Sequence, residues 1–211
     1  TGSTVFDFDG DGRPKVVYAD ECFLRIYDGA SGEVYASIPN RSQTYYEGPV
    51  VADTNGDLQA DIVVAQNELL GCPASDPTFA GVRCQASSDC PGTSTCTRAQ
   101  AADPYGRCSC TSDAQCGGGF LTCQAALQGG ATRYCRTNRD PAATSSGVIV
   151  VSDSRGRWVP TRPIWNQFVY TVTNVDDNGA VPKTSDWKPN WREPGLNNFL
   201  QNVQGALDLQ G

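Results

Sequence analysis

Asp7-Phe8-Asp9-Gly10-Asp11-Gly12 leads into the apolar run Val16-Val17-Tyr18, and Asp53-Thr54-Asn55-Gly56-Asp57, with Asp61 behind it, leads into Ile62-Val63-Val64. These two acidic loops recur at a period of 46 residues. Oxygen side chains at alternate positions, with glycine letting the backbone fold tightly around them, are what a hard cation such as Ca²⁺ requires. A fixed period of this size, ending each time in a β-type segment, also points to a repeat architecture.

Composition limits the rest of the reading. In 211 residues there are 22 Gly and 13 Pro, with 39% hydrophobic and 18% charged residues, so turns are frequent and long helices few. An all-β fold follows as the expectation. The net charge of −7 repels phosphate backbones, which argues against a nucleic-acid partner. No apolar run is long enough for a membrane span. Ten cysteines, an even number, point to disulfides and to an oxidising, extracellular or cell-surface location. The start Thr1-Gly2-Ser3 and the absence of Met lead us to expect a piece of a longer precursor. Histidine is absent as well, which removes Ser-His-Asp and Cys-His nucleophiles and His-ligated zinc.

The first unit, residues 1–48, reads as an acidic loop followed by strands at Lys15 to Ala19, Phe23 to Tyr27 and Glu33 to Ile38, plus a lead-in strand. Apolar and polar residues alternate at Leu24, Ile26 and at Val34, Ala36, Ile38, and Asp28-Gly29 with Ser31-Gly32 supplies the hairpin turn. The plan restarts at Pro49 and runs through Asp61 to Ala65. A long excursion, residues 71–146, then precedes the strand Gly147 to Val151, and a hairpin at Asp153 to Gly156 leads on to Trp158-Val159. The excursion reads as an insertion at a loop tip, where added length costs little.

Within the insertion Cys84, Cys90, Cys96 and Cys108 are echoed by Cys110, Cys116, Cys123 and Cys135. This pattern predicts two tandem four-cysteine units, each too small for a core of its own and held by two disulfides. Zinc is the rival reading, but it lacks any Cys-x2-Cys pair or histidine. Connectivity inside each unit stays open. Cys22 and Cys72, left over in corresponding loops of the two meanders, are expected to pair with each other.

Residues 158–211 hold all four tryptophans. Phe168 to Thr173 is the most β-prone run in the chain, and Asp177-Asn178-Gly179 after it signals a turn. A short helical stripe is expected near Asn198, through Leu196, Phe199, Leu200, Val203 and Leu207. Trp187 and Trp191 read either as packed aromatics or as a platform for sugar rings. The sequon Asn40-Arg41-Ser42 carries no argument, and the acid pairs Asp176-Asp177 and Asp20-Glu21 read as turns rather than as catalytic carboxylates, since neighbours on a strand face opposite ways.

The stretch Val5 to Gly12 and its echo Val51 to Asp57 resemble the FG-GAP or VCBS repeat of integrin-α-like β-propellers. Thr161 to Gln167, Val172 to Gly179 and Pro194 to Phe199 look like the end of such domains in large secreted bacterial proteins, including those of myxobacteria. The resemblance covers residues 1–67 and 147–202. It implies antiparallel four-stranded blades around an axis, with calcium in the loop that opens a blade. Carried onto this chain, the second loop offers the side chains of Asp53, Asn55, Asp57 and Asp61 and the Gln59 carbonyl. The first offers Asp7, Asp9, Asp11 and the Arg13 carbonyl, but Lys15 stands where the fourth carboxylate belongs. An ammonium there either replaces the cation or leaves a weaker site. An EF-hand is disfavoured, because Tyr18 and Val64 occupy the place of its closing glutamate.

The expectation is thus part of a β-propeller. Residues 1–70 form one blade and the start of a second, 71–146 a cysteine-rich insertion, and 147–211 the rest of the second blade with a Trp- and Asn-rich tail. The function expected is calcium-stabilised, non-enzymatic adhesion or surface assembly through a protein partner or self-association. A carbohydrate-binding or carbohydrate-active domain and a filament subunit are the alternatives. Without the insertion roughly 135 residues remain, enough for two blades and part of a third, whereas closed propellers need at least four.

Overall fold

A computed structural model describes residues 2–42, 48–67, 71–140, 146–189, 191–192 and 199–204. Of the helical stripe expected near Asn198, Leu196 and Leu207 lie outside these residues, while Phe199, Leu200 and Val203 form no helix. Among the described residues regular structure is strand, with four short 3₁₀ turns, and no helix is long and apolar enough to cross a membrane. The chain is all-β with antiparallel sheets.

The first unit forms β1 (Ser3–Phe6), β2 (Lys15–Ala19), β3 (Phe23–Asp28) and β4 (Val34–Pro39), paired antiparallel in that order. The β3–β4 turn closes because Asp28 accepts from the amides of Ala30 and Ser31 while the Gly32 amide donates to the Asp28 carbonyl at 2.8 Å. The second sheet contains β5 (Val50–Ala52) and β6 (Asp61–Gln66). Next come the insertion strands β7 (Arg83–Cys84), β8 (Thr95–Thr97), β9 (Gly106–Cys110), β10 (Leu121–Ala125) and β11 (Arg133–Thr137), then β12 (Gly147–Ser152), which returns to pair with β6.

Among the described residues the second sheet, ordered β12-β6-β5, has three strands. Its expected completion by Trp158-Val159 does not occur. After the turn closed by Gly156 and Asp153, the chain crosses to the acidic loops, where the Val159 amide donates to the Phe8 carbonyl and the Val159 carbonyl accepts from the Ala60 amide. Trp158 packs on Phe8 with ring centroids 4.5 Å apart. The aromatic anchor has a better partner inside the core than at a sheet edge.

One apolar core joins the two sheets: Phe6, Phe8, Val17, Leu24 and Ile26 from the first meet Val51, Ile62 and Val64 from the second. The leading strands β1 and β5 lie side by side, and the Thr4 hydroxyl donates to the Pro49 carbonyl. Burial of these side chains supplies the main stabilising term, at about 25 cal/mol per Å² of apolar surface.

All ten cysteines are paired, which disposes of the zinc reading: Cys84–Cys96 and Cys90–Cys108 in the first small unit, Cys110–Cys123 and Cys116–Cys135 in the second, and Cys22–Cys72 between the meander and the root of the insertion. Both units join first to third and second to fourth cysteine, so they are structural repeats as well as sequence repeats. In each, a side chain caps the 3₁₀ turn before the second cysteine. Asp89 accepts from the amides of Gln85 and Ala86, and Gln115 accepts from those of Thr111 and Ser112. The units meet glycine to glycine: a Cβ on Gly92, at φ +57°, would lie 2.6 Å from Gly117 backbone.

The insertion, though it leaves from a loop of the second sheet, packs on the first. It folds back over the edge strand β4 of the first, where Thr137 donates to the Ser37 carbonyl at 2.6 Å and Arg139 donates to the carbonyls of Cys22 and Asn40. Covering an edge strand in this way protects it from pairing with another chain.

The tail corrects a second expectation. Phe168 to Thr173 forms no strand; Phe168 and Val169 are exposed, Thr171 makes an isolated bridge to Phe199, and Val172–Asn174 is a 3₁₀ turn. The Tyr170 side chain explains this: it is buried, stacked on Trp165 at 4.5 Å, and its hydroxyl accepts from Arg162 and donates to Asn202. One inward anchor here serves a polar hub, and β propensity without a partner strand is not sufficient. The expected turn is present, with the Gly179 amide donating to the Asp176 carbonyl at 2.8 Å.

Candidate functional site

The two acidic loops have the same internal plan. In the first, the leading carboxylate of Asp7 accepts from the amides of Asp11 (3.3 Å) and Gly12 (2.7 Å); in the second, Asp53 accepts from Gly56 (2.7 Å) and Leu58 (3.0 Å). Four residues on, Asp11 accepts from Arg13 at 2.9 Å and Asp57 from Gln59 at 2.8 Å. The backbone turns left-handed at matching positions, Gly10 (φ +66°) with Gly56 (+80°) and Gly12 (+76°) with Leu58 (+69°). A leucine in that region carries strain of about 1–3 kcal/mol, which its amide bond to Asp53 helps to hold.

They diverge at the eighth position after the leading Asp, which is the first residue of the following strand: Lys15 opens β2 and Asp61 opens β6. The Lys15 side chain is 4% exposed. Its Nζ lies 3.3 Å from Asp9 and 3.6 Å from Asp11, and donates to the Arg13 carbonyl at 2.7 Å. It therefore occupies the centre of three of the four oxygen donors expected for an ion in that loop. Burial alone would raise the Asp11 carboxyl; the Arg13 amide and the Lys15 ammonium outweigh it and hold it below the usual carboxylate range. The first loop carries an ammonium of its own, and its residues Asp7, Asp9, Asp11 and Arg13 do not fit a divalent ion while Lys15 is there.

The second loop has oxygen in the same place. Asp61 is buried and accepts from the Thr54 amide (3.0 Å), the Thr54 hydroxyl and the Ser152 hydroxyl (2.5 Å). Burial raises its carboxyl and these three bonds outweigh that, so its pKa lies below the ordinary value. Asn55 donates from its amide to Asp57 at 3.1 Å. Gln59 bridges Pro160 through the bonds of its neighbours, Thr161 to Leu58 and Ala60 to Val159, so its own carbonyl faces away from that partner. Among the described residues no Lys or Arg ion-pairs with Asp53, Asp57 or Asp61. Three carboxylates, an amide oxygen and a carbonyl make an all-oxygen donor set of the kind hard cations take.

Sequence reading missed the strongest electrostatic feature, which fastens the insertion. Arg25 on β3 binds Asp76 in a bidentate pair at 2.6 and 3.1 Å and also meets Asp20; Asp76 further accepts from Ser37 and Thr78. Arg25 and Asp76 are both buried. Burial raises the Asp76 carboxyl, and its hydrogen bonds from Arg25, Ser37 and Thr78 overcome that to lower it. No spacing rule links residues 25 and 76, although the disulfide partners Cys22 and Cys72 mark the same junction.

The two C-terminal tryptophans are surface groups, with Trp187 43% and Trp191 70% exposed. The aromatic packing in the tail belongs instead to Trp165 and Tyr170. Asn40 of the sequon is buried.

No curated protein matches the chain in sequence. Its fold is similar to part of the crystal structure of the V. cholerae biofilm matrix protein Bap1, with a TM-score of 0.52 and 20% identity over 96% of this chain. The match spans 22% of that protein's chain. Residues 7–64, which contain both acidic loops and the strands they open, match the family model described as FG-GAP-like repeat.

Proposed function

We propose that this chain is an extracellular, non-catalytic calcium-binding module of a β-propeller arrangement, serving adhesion or surface assembly through a protein partner. The observation that carries the reading is the second loop, which offers Asp53, Asn55, Asp57, Asp61 and the Gln59 carbonyl with no described cationic side chain paired to its carboxylates, although the three carboxylates do not converge on one point in the structure. Calcium there would tie the β5–β6 connection and relieve repulsion among three carboxylates. Its role would be structural. The FG-GAP-like match and the two sheets sharing one core beside β1 and β5 support the propeller reading. Five disulfides point to an oxidising, extracellular setting, and likeness to a biofilm matrix protein supports a role between cells or in their surroundings.

The test is thermal unfolding of the oxidised chain with Ca²⁺ and with a chelator, alongside calorimetric titration. One bound ion and a raised melting temperature are expected. A melt indifferent to both, with no heat of binding, overturns the proposal.

The exposure of Trp187 and Trp191 favours one second reading, a glycan-binding surface. A glycan array with Trp191→Ala as control tests it, and signal unchanged by that substitution would count against it.

A further inference from the structure

The two sheets differ by one strand, and the missing one leaves an edge. In the first sheet the outermost strand, β4, lies under the insertion. In the second, β12 is outermost, and the chain that follows turns away to the acidic loops instead of supplying a fourth strand. β12 reads Gly147-Val148-Ile149-Val150-Val151-Ser152, without the charge or proline that often protects an edge, and no strand among the described residues pairs with its outer side. Val148 is 69% and Val150 50% exposed, on the face away from the core, while Ile149 and Val151 pack inward. Across the sheet Val150 pairs with Val63, which pairs with Val50, so the apolar row continues inward from the edge.

We propose that β12 is a self-association edge, and that its occupant is β12 of a second copy of this chain, paired antiparallel about a two-fold axis. The strand suits itself for a specific reason. A two-fold contact brings a surface onto its own copy, so the sequence must be compatible with its own reversal. Val148-Ile149-Val150 reads the same both ways. With Ile149 opposite Ile149 of the partner subunit, Val148 of each copy faces Val150 of the other, and both lie on the outer face because residues two apart share a side. Any register shifted by one residue would set an outward valine against an inward side chain. The pairing would join two three-stranded sheets into one of six, by strand addition. It deepens the assembly part of the proposed function by naming the partner, and it is independent of calcium.

Sedimentation velocity of the oxidised full chain over a concentration series tests it. A reversible shift from 22.5 kDa towards twice that mass is expected. Val148→Lys combined with Val150→Lys should keep the chain monomeric at every concentration, with near-ultraviolet circular dichroism unchanged, since both side chains point to solvent. Hydrogen exchange on the unmodified chain gives a second readout: protection of the β12 amides should rise with concentration. A wild-type chain that stays monomeric throughout overturns the inference, as does a dimer that survives the double substitution. Calcium titration of the same samples separates the two ideas, since absence of the dimer with calcium uptake intact overturns only this one.

Discussion

The two acidic loops use one backbone plan and resolve their negative charge in opposite ways. The Asp7 loop closes on its own Lys15, whose ammonium lies among Asp9, Asp11 and the Arg13 carbonyl. The Asp53 loop has Asp61 at the equivalent position, with hydroxyls and amides as its only described partners. A single residue at the first position of a strand thus decides whether the loop holds an ammonium or a further oxygen donor at that place. The Arg25–Asp76 pair is a third solution, in which the cation comes from a different element and the pairing fastens the insertion.

Of these three sites, the third should respond most strongly to mutation. Asp76→Ala leaves Arg25 buried and short of its partner, and should cost about 3–5 kcal/mol, read by chemical denaturation. Acid should act on the same bond. The Asp76 pKa is lowered on folding, so its contribution is present above the ordinary carboxylate value of about 3.9 and is lost as pH falls through the depressed folded value. Stability of the oxidised chain should therefore decline below about pH 4, and Asp76→Ala should flatten that decline.

Under the proposed function, calcium should provide the next largest effect. At a concentration one hundred times its dissociation constant, one ion stabilises the fold by about 2.7 kcal/mol. Asp53→Asn should remove most of this gain, while Asp9→Asn should leave it in place. Equal losses from the two substitutions would mean that the loops handle their charge alike.

Lys15 allows the two loops to be made alike. Lys15→Asp restores an oxygen donor at the eighth position of the first loop and should raise calcium stoichiometry from one to two. Without calcium the same substitution should cost about 1–3 kcal/mol, because the Arg13 carbonyl and Asp9 lose their donor. The smallest effect is expected from Thr54→Val, which removes one hydroxyl from Asp61 and should cost about 1 kcal/mol without changing stoichiometry.

Much of this was legible in the sequence. The strand from Lys15 to Ala19 falls where the apolar run after the acidic loop placed it, and the echo of Asp7 to Asp11 in Asp53 to Asp57 marks both the loops and the sheets they open. Failures came where a side chain found a distant partner. Tyr170, bound by Arg162 and Asn202, prevents the run around it from acting as a strand. Trp158, packed on Phe8, draws its segment off the second sheet and leaves β12 outermost. Asp76 gave no local signal, since its partner lies 51 residues away.

Residue order was enough to establish the all-β class, the repeat of the acidic loops, the two four-cysteine units and the absence of any imidazole chemistry, because these depend on local periodicity, composition and spacing. Three-dimensional packing was needed to show that Lys15 lies within its own loop, that each small unit joins its cysteines first to third and second to fourth, and that the insertion covers β4 while β12 stays open. Those outcomes depend on which side chains meet across the fold, and burial makes such meetings decisive: a charge or an aromatic ring removed from water must find its partner wherever the chain brings one within reach.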